Sequence, residues 1–463
     1  ALLSNTTGAE NTALGYVALQ DNTIGVNNVA LGRGSLGNNI DGNNNAAVGH
    51  NALRLNTTGD YNVALGISAL YNNTTADNNT AIGSSALTAT TTGANNTSVG
   101  YGAGKTGTTH YSAVYIGANA GDAVTTAGQN TFIGFDSGTS TTTGADNTAI
   151  GDRTFKTATT GNTNVAVGGT SMENTTTGSN NVGVGWGSLR ANTTGASNTG
   201  LGRDSLKANT TGSWNVALGY TALDANTEGT YNVALGVSSL TTATTASHNT
   251  AVGADALGLT TTGANNTGIG SAALVYNTTG AANVAVGKAS LKANTTGYSN
   301  TAIGYVSLYS NTTGANNLAS GQGALYSNTT GDSNTALGRD ALLTNTTASY
   351  NVAVGRDALK ANTTASNNTA VGYGAGASNL TGADNTYVGF GSGYSGTNYY
   401  NTAVGKYSLY NSTGAYNVAI GTNALNANTT ASNNTAVGYN SLIANTTGTR
   451  NTAVGSNALD ANT

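Results

Sequence analysis

Apolar and polar residues recur along this chain with a period of 17 residues. Each period opens with a pentad of Asn, Thr or Val, a small residue, a branched apolar residue and Gly, as in residues 62–66. The glycine of the pentad occurs 27 times, in steps of 17 from Gly15 to Gly389 and with two steps of 16 before Gly455. A fixed short period over a whole sequence predicts a solenoid, in which each repeat forms one coil of the backbone.

The elements of one coil follow from its consensus, which reads, from its Asn, N-[T/V]-A-[V/I/L]-G-x-x-[A/S]-L-x-x-N-T-T-G-x-x. Positions 2–4 are β-branched or small and predict a short strand. The second apolar pair, at positions 8 and 9, predicts a second strand, for example at Ala69-Leu70 and Ala324-Leu325. The Asn-Thr-Thr-Gly segment predicts a turn. The predicted fold is all-β, a β-solenoid (β-roll) of about 27 coils with a 17-residue repeat.

Equivalent residues of successive coils should then form columns along the solenoid. The invariant Gly of position 5 implies a positive φ or a close backbone approach. Position 1 is Asn in every coil except the one that begins at Ala113, which predicts a ladder of stacked Asn side chains. We expect the branched residue of position 4 and the Leu of position 9 to form the core. The small residue of position 3 would then face another chain and allow lateral self-association.

Five coils depart from the consensus because Gly replaces the Leu of position 9. Three of these coils also carry an aromatic residue in place of the small residue of position 3. We predict that positions 3 and 9 share one space, which the aromatic ring fills. The atypical coils cluster at residues 101–138 and 373–396, where they mark bends, binding spots or only drift of the repeat. The glycines are Gly104, Gly121, Gly138, Gly376 and Gly393, and the aromatic residues are Tyr115, Phe132 and Tyr387.

Composition excludes several classes of protein. Only 7% of the residues are charged, and the net charge is −4. Lys and Arg are scattered, so we expect no nucleic-acid binding. No Cys is present, which excludes disulfides and a thiol nucleophile. No apolar run reaches the roughly 20 residues that span a bilayer. Disorder would tolerate irregular spacing, so the strict period favours an ordered array.

The domain organisation predicted from the repeat is a single continuous β-solenoid array over residues 1–463. No capping repeat is visible at either end of the sequence, and the chain begins at Ala1 without an initiator Met. We therefore expect an excerpt or a processed product, with caps outside this stretch, or copies that meet end to end.

Two glycine motifs match phosphate-binding patterns only formally. Residues 32–37 fit G-x-G-x-x-G, but their first Gly is the repeat's position 5 and no helix is predicted to follow. Gly104-Lys105-Thr106 matches the end of a phosphate-binding loop, yet the Gly that should stand five residues earlier is Val99. We predict no cofactor-binding residues.

Candidate catalytic and metal-binding residues do not converge either. His50, His110 and His248 fall at three different repeat positions and several coils apart. Asp residues are spread singly, and the calcium-binding G-G-x-G-x-D pattern is missing. The adjacent pairs Arg203-Asp204 and Arg356-Asp357, with a third pair at 339–340, are interpreted as solvated corner pairs. We therefore predict no catalytic residues and no metal site.

Two further features concern the surface. Asn-Thr-Thr and Asn-Asn-Thr are formal N-glycosylation acceptors, but turn and ladder roles account for them without a sugar. Tyr is plentiful, with 23 residues against 4 Phe and 2 Trp, and is mostly at variable positions. Several follow the position-5 Gly, for example Tyr16 and Tyr373. They form either a recognition surface or rings that merely stack along the solenoid.

The pentads of residues 451–455 and 417–421, Asn-Thr-Ala-Val-Gly and Asn-Val-Ala-Ile-Gly, resemble the S-V-A-I-G repeats of YadA-type trimeric autotransporter adhesin heads. They are also similar to repeats of phage tail-fibre proteins, and the resemblance covers essentially the whole chain. It implies a left-handed β-roll that assembles as a trimer and binds host matrix or surfaces. The longer unit, the Asn-Thr-Thr-Gly turn and the lack of a neck, stalk or membrane barrel are departures from that family.

Together these features predict a non-enzymatic, structural extracellular fibre or adhesive shaft of a cell surface or virion. Its repetitive Asn/Thr/Tyr-rich surface would allow multivalent contact. The expected partners are further copies of the chain, as a homotrimer or an end-to-end fibre, and a host surface, matrix or glycan. We expect neither nucleic-acid binding nor membrane insertion within this segment. Three alternatives remain: an end-to-end filament subunit, an ice- or crystal-binding solenoid, and a polysaccharide lyase.

Overall fold

The computed structural model describes residues 1–396 and 398–462, and these residues contain strands and turns but no helix. The strands are three residues long, and each covers positions 2–4 of one coil. The chain divides into two compact units, Ala1–Tyr231 and Asn232–Thr463. The prediction of a short strand at the start of each coil is confirmed.

The strands are numbered in chain order. The first unit contains β1 Thr12–Leu14, β2 Val29–Leu31, β3 Ala46–Val48, β4 Val63–Leu65, β5 Thr80–Ile82, β6 Thr97–Val99, β7 Val114–Ile116, β8 Thr131–Ile133, β9 Thr148–Ile150, β10 Val165–Val167, β11 Val182–Val184, β12 Thr199–Leu201 and β13 Val216–Leu218. The second contains β14 Val233–Leu235, β15 Thr250–Val252, β16 Thr267–Ile269, β17 Val284–Val286, β18 Thr301–Ile303, β19 Leu318–Ser320, β20 Thr335–Leu337, β21 Val352–Val354, β22 Thr369–Val371, β23 Thr386–Val388, β24 Thr402–Val404, β25 Val418–Ile420, β26 Thr435–Val437 and β27 Thr452–Val454.

Within each unit, every strand pairs in parallel with the strands of the preceding and following coils. Equivalent positions lie opposite each other: Thr12 pairs with Val29 in the first unit, and Thr250 pairs with Thr267 in the second. Each unit is therefore a parallel β-solenoid with one strand per coil. Coils are numbered below by the strand that they contain, so coil 22 begins at Asn368.

The predicted second strand at positions 8 and 9 is wrong, because these residues lie in a turn. Leu70 and Leu325 have φ of 50° and 52°, in the left-handed region that non-glycine residues seldom adopt. Position 7 is also left-handed, as at Ser68 with φ of 56°. The backbone still bonds between coils: the amide of Leu70 donates to the carbonyl of Ala86 at 3.0 Å. Alternating left-handed residues thus bend the chain while keeping inter-coil hydrogen bonds.

The invariant glycine of position 5 meets both requirements inferred from the sequence. Its φ lies between 119° and 141° in all 27 coils. A Cβ built on Gly66 would lie 2.5 Å from the carbonyl oxygen of Gly83 in the next coil. Any side chain here would collide with the neighbouring backbone, and this explains why position 5 does not vary.

The two sides of the strand face opposite to the expectation. The small residue of position 3 points inward, so Ala64 and Ala81 are buried, while the branched residues of position 4 lie on the outside. Leu65 is 46% exposed and Ile82 is 36% exposed. The core of a coil consists of position 3, the Ala or Ser of position 8 and the Leu of position 9, as at Leu70. Leu fills the narrow interior and leaves room for only a methyl group opposite.

The Asn ladder of position 1 is present in both units. The Oδ1 of Asn283 accepts from the backbone N and Nδ2 of Asn300, at 3.0 and 3.2 Å. The same Nδ2 donates to the carbonyl of Gly314 at 2.8 Å. Each buried amide therefore bonds to the preceding coil and to the turn of its own coil, as buried polar groups require.

A second ladder, at position 12, was read from the sequence only as turn chemistry. The Nδ2 of Asn56 donates to Oδ1 of Asn39 in the preceding coil at 2.8 Å. It also donates to the carbonyl of Gly59 at 3.0 Å, which closes the Asn-Thr-Thr-Gly turn. The first Asn of this segment therefore fixes the turn and links consecutive coils.

The exchange between positions 3 and 9 is confirmed. Tyr115, Phe132 and Tyr387 are fully buried, with their rings in the space that Leu fills in a consensus coil. A Cβ on either Gly104 or Gly121 would lie 2.7 Å from the Tyr115 ring. The substitutions in these coils are therefore compensating, and the cluster at 101–138 contains a buried stack of rings.

Candidate functional surfaces

The residues with catalytic potential stay apart in the structure. Residues 32–37 form the turn that follows β2 rather than a helix N-terminus. Gly104-Lys105-Thr106 also lies within a turn. Over residues 1–396 and 398–462, no three His, Cys, Asp or Glu side chains are grouped so that they could hold a metal ion. In the same residues, no helix has the length and apolar character needed to cross a membrane.

The three histidines have different environments. His50 and His248 are exposed, whereas His110 is fully buried and its ring centroid lies 5.7 Å from that of Tyr115. Neither ring nitrogen of His110 has a hydrogen-bond partner among the described residues. Burial lowers the pKa of His110 to about 4, because the charged imidazolium loses its hydration. This side chain is a packed, neutral group and not part of a catalytic cluster.

The predicted Arg–Asp pairs are formed, but their carboxylates are less solvated than expected. Arg356 Nε lies 3.2 Å from Asp357 Oδ2, and Arg203 Nε lies 3.4 Å from Asp204 Oδ2. The Asp204 side chain is only 9% exposed. A Lys three residues later adds a second contact, as Lys360 Nζ does to Asp357 Oδ1 at 3.0 Å.

The two Thr of the Asn-Thr-Thr-Gly turn have different roles. Thr57 Oγ1 donates to the carbonyl of Thr74 in the next coil at 2.9 Å, while Thr58 is exposed. The same pattern joins Thr312 to Thr329 in the second unit, at 3.1 Å. The first Thr of the turn therefore donates a hydrogen bond to the backbone of the next coil, whereas the second is exposed.

The first extended surface is the sheet face, which we define as the side chains of positions 2 and 4. No residue at these positions is charged in any of the 27 coils. The face carries mostly Thr or Val in the column of position 2 and mostly Val, Ile or Leu in the column of position 4. Ile269, Ile303 and Ile420 are each 40% exposed or more. An exposed apolar surface of this kind marks a site of interaction in soluble proteins.

The second surface is the turn face, which we define as the side chains of positions 6, 7 and 10. The Tyr residues that follow the position-5 Gly are at position 6 and belong to this face. Among them, Tyr16 is 73% exposed and Tyr305 is 52% exposed. Some rings also stack between coils, as Tyr309 does on Tyr326 with centroids 5.1 Å apart. Stacking along the solenoid is therefore confirmed for some of these rings, whereas a recognition surface stays a prediction.

Aromatic residues concentrate on the turn face of coils 22–24. Tyr373 stacks on Phe390 with centroids 5.2 Å apart, and Phe390 meets Tyr407 edge-on at 5.2 Å. Tyr394 stacks on Tyr410 with centroids 5.1 Å apart. This aromatic cluster borders two clefts, of about 400 and 190 Å³.

Sequence reasoning identified Tyr373 and the atypical coils at 373–396, but not the cluster as a site. The missing signal was the combination of positions 6 and 7 with position 10, which the turn brings to the same surface. Coil 22 has Gly374 at position 7, as coil 23 has Gly391, and it has Ala377 at position 10, where the coils on either side have Lys360 and Tyr394. Small residues at these positions beside aromatic coils would have indicated a cleft.

No protein-family model matches this chain, and a search of curated proteins finds no match either.

Proposed function

We propose that this chain is a structural, non-enzymatic repeat protein of an extracellular fibre or adhesive shaft, displayed on a cell or virion. The observation that carries the proposal is the sheet face, which is uncharged in every coil and has a largely apolar column at position 4. A globular enzyme would not need such a surface, whereas a fibre built from several chains would bury it.

The proposed occupant of the sheet face is a second copy of the chain. Its columns repeat with the same step in every copy, so two faces match coil by coil when they pack together. Charged residues, which would have to be desolvated, are absent from the face. Association would extend over many coils, so that weak contacts per coil add up to a stable assembly.

The trimer implied by the resemblance to YadA-type heads is one such assembly, and end-to-end contact of copies is another. The ladders of positions 1 and 12 support a structural role, because they place a buried amide network in coil after coil. A protein with this interior gains rigidity along its length rather than a catalytic pocket.

The test is the mass of the particle in solution, measured by sedimentation velocity over a range of concentrations. The particles of the wild-type protein should have a mass greater than that of one chain. The double variant Ile269→Lys/Ile303→Lys should be monomeric, or it should need at least a tenfold higher concentration to assemble. The control Tyr298→Ser/Tyr305→Ser removes two side chains outside the sheet face that are even more exposed, and it should assemble as wild type does.

Unchanged circular dichroism would show that the lysine variant retains its fold. The lateral-association proposal is wrong if wild type stays monomeric, or if the folded lysine variant assembles equally well. Display is tested separately, by antibody labelling of intact cells or virions; labelling that appears only after disruption contradicts it.

A further inference from the structure

The cleft beside Tyr394 owes its existence to two small residues in coil 22. Coil 21 carries Asp357 and Lys360 at positions 7 and 10, and coil 24 carries Tyr407 and Tyr410. Coil 22 has Gly374 and Ala377 there, which leaves a cleft of about 400 Å³. Because coil 23 also has Gly at position 7, Gly391, the cleft is a gap in the column of large side chains at position 10, next to two glycines at position 7.

One wall of the cleft is an aromatic ring with a free face. Tyr410 of coil 24 covers one face of Tyr394, at a centroid distance of 5.1 Å and an interplanar angle of 17°. The opposite face is directed towards coil 22, where Ala377 offers only a methyl group. Tyr373, which is 47% exposed, lines the side of the cleft.

The spacing of the coils limits the ligand to one layer. Coils 21 and 23 are two steps apart, roughly 10 Å at the usual strand spacing. A ring in van der Waals contact needs about 3.5–4 Å on each side, so one ring fits between Tyr394 and the Lys360 side chain. A ring bound there would continue the stack of Tyr394 and Tyr410 by one member.

The charges at the other wall favour an anion. Arg356 and Lys360 both contact Asp357, at 3.2 and 3.0 Å, so two cations surround one carboxylate. Lys406 lies 5.2 Å from the centroid of Tyr407 and adds a third cation to the aromatic cluster. The local excess is positive, although the whole chain has a net charge of −4.

We propose that this cleft binds an acidic pyranose, a uronic-acid residue of a polysaccharide. The apolar face of the sugar ring would lie against Tyr394, its carboxylate would meet Lys360, and its hydroxyls would reach Asp357 and Ser378. An aromatic wall with a few polar groups on the other side fits a ligand that is apolar on its faces and polar at its rim. The second cleft, of about 190 Å³, shares Tyr373 and Tyr394 with the first and would take the next sugar.

This inference rests on the adhesive part of the proposed function and gives it a ligand class. The test is isothermal titration of the full chain with a hexamer of galacturonic acid, with cellohexaose as the neutral probe of equal length. We expect a submillimolar Kd for the acidic hexamer and binding at least tenfold weaker for the neutral one.

Two variants locate the site. Ala377→Tyr fills the gap with the residue found at the same position of coils 23 and 24, and should weaken binding at least tenfold. Lys360→Gln removes one cation and should weaken it about fivefold. The matched control Val275→Tyr places the same ring at position 10 of coil 16 and should bind as wild type does.

The proposal is overturned if wild type does not bind the acidic hexamer at millimolar concentration, or if Ala377→Tyr binds it equally well. Hexaglutamate bound as tightly as the sugar would also overturn it, because charge alone would then suffice. Sedimentation separates this inference from the proposed function. If the wild-type chain and Ala377→Tyr assemble equally well but the wild-type chain binds no sugar, only the inference about the cleft is contradicted.

Discussion

The ring of Phe132 occupies the space next to Gly138 in which a consensus coil holds the side chain of Leu. A Cβ on Gly138 would overlap the Phe132 ring, and Phe132 is completely buried. Positions 3 and 9 therefore share one space in the interior of the coil. In this coil the ring of position 3 fills that space, and position 9 has no side chain.

This relationship predicts a strong coupling between the two residues. Phe132→Ala should lower the free energy of unfolding by about 3–5 kcal/mol, because it leaves a cavity. Gly138→Leu should cost about 1–3 kcal/mol through overpacking. The double variant restores the consensus pair of Ala and Leu. Its loss of unfolding free energy should be smaller than the sum of the two single losses by at least about 2 kcal/mol. Denaturant unfolding measures all three, and additive losses would show that the positions do not share a space.

The ladder of position 1 predicts that Asn cannot be replaced by its isosteric acid. Asn300→Asp would remove both Nδ2 donors and bring a carboxylate oxygen towards the carbonyl of Gly314, now 2.8 Å from Nδ2. We expect a loss of about 3 kcal/mol or more at neutral pH, and less for Asn300→Ala, which introduces no charge.

The control for this ladder variant is its neighbour Asn316, at position 17. Asn316 is exposed, and other coils carry Asp at the same position, for example Asp384. Asn316→Asp should change the free energy of unfolding by no more than about 0.5 kcal/mol. Equal losses for Asn300→Asp and Asn316→Asp would contradict the ladder.

The buried imidazole of His110 predicts a dependence of stability on pH. Its folded pKa is about 4 and its ordinary value is 6.5, so the unfolded chain binds the proton first as the pH falls. The stabilising effect of the neutral ring is complete above pH 6.5, decreases between pH 6.5 and 4, and changes no further below that range. The difference amounts to about 3 kcal/mol, at 1.36 kcal/mol per pH unit.

His110→Gly restores the residue that most coils carry at position 15 and should remove this contribution. Unfolding of wild type and variant at pH 7, 5 and 4 checks the prediction, because carboxylates titrate equally in both proteins. Parallel stability curves for the two proteins would show that His110 is not buried in its neutral form.

The sequence predicted those features that appear as regularities of the repeat. Position 5 is always Gly because each coil approaches the next too closely for a Cβ, and the Asn of position 1 recurs because its amide bonds to the preceding coil. The paired changes at Tyr387 and Gly393 were visible in the same way. Each of these constraints acts on one position or on one pair of positions, so it can be recognised from the residue types that recur there.

Other features could not be predicted because the residue types do not reveal them. Small and branched residues alternate along the strand, and a strand with Ala64 outside and Leu65 inside would show the same pattern. Leu70 adopts a left-handed conformation that Leu seldom takes, so its apolar pair with Ala69 looked like a strand. The cleft near Tyr394 depends on turns that bring non-consecutive positions of neighbouring coils together.

The backbone winds once per 17 residues and stacks equivalent positions of successive coils in columns. Because the chain contains no Cys, pairs of engineered thiols can test it without interference. Thr58 and Thr75 are exposed and lie one coil apart at position 14, and Thr92 follows two coils after Thr58. Coils spaced by about 4.8 Å bring the first pair within the range of a disulfide, which usually spans less than about 7 Å between Cα atoms.

The most direct measurement is therefore mass spectrometry of the oxidised variants, at a dilution that prevents links between chains. Thr58→Cys/Thr75→Cys should form an intramolecular disulfide in nearly all molecules, and Thr58→Cys/Thr92→Cys should form little. Failure of the 17-residue pair to close, or equal closure of the 34-residue pair, would contradict the stacked coil.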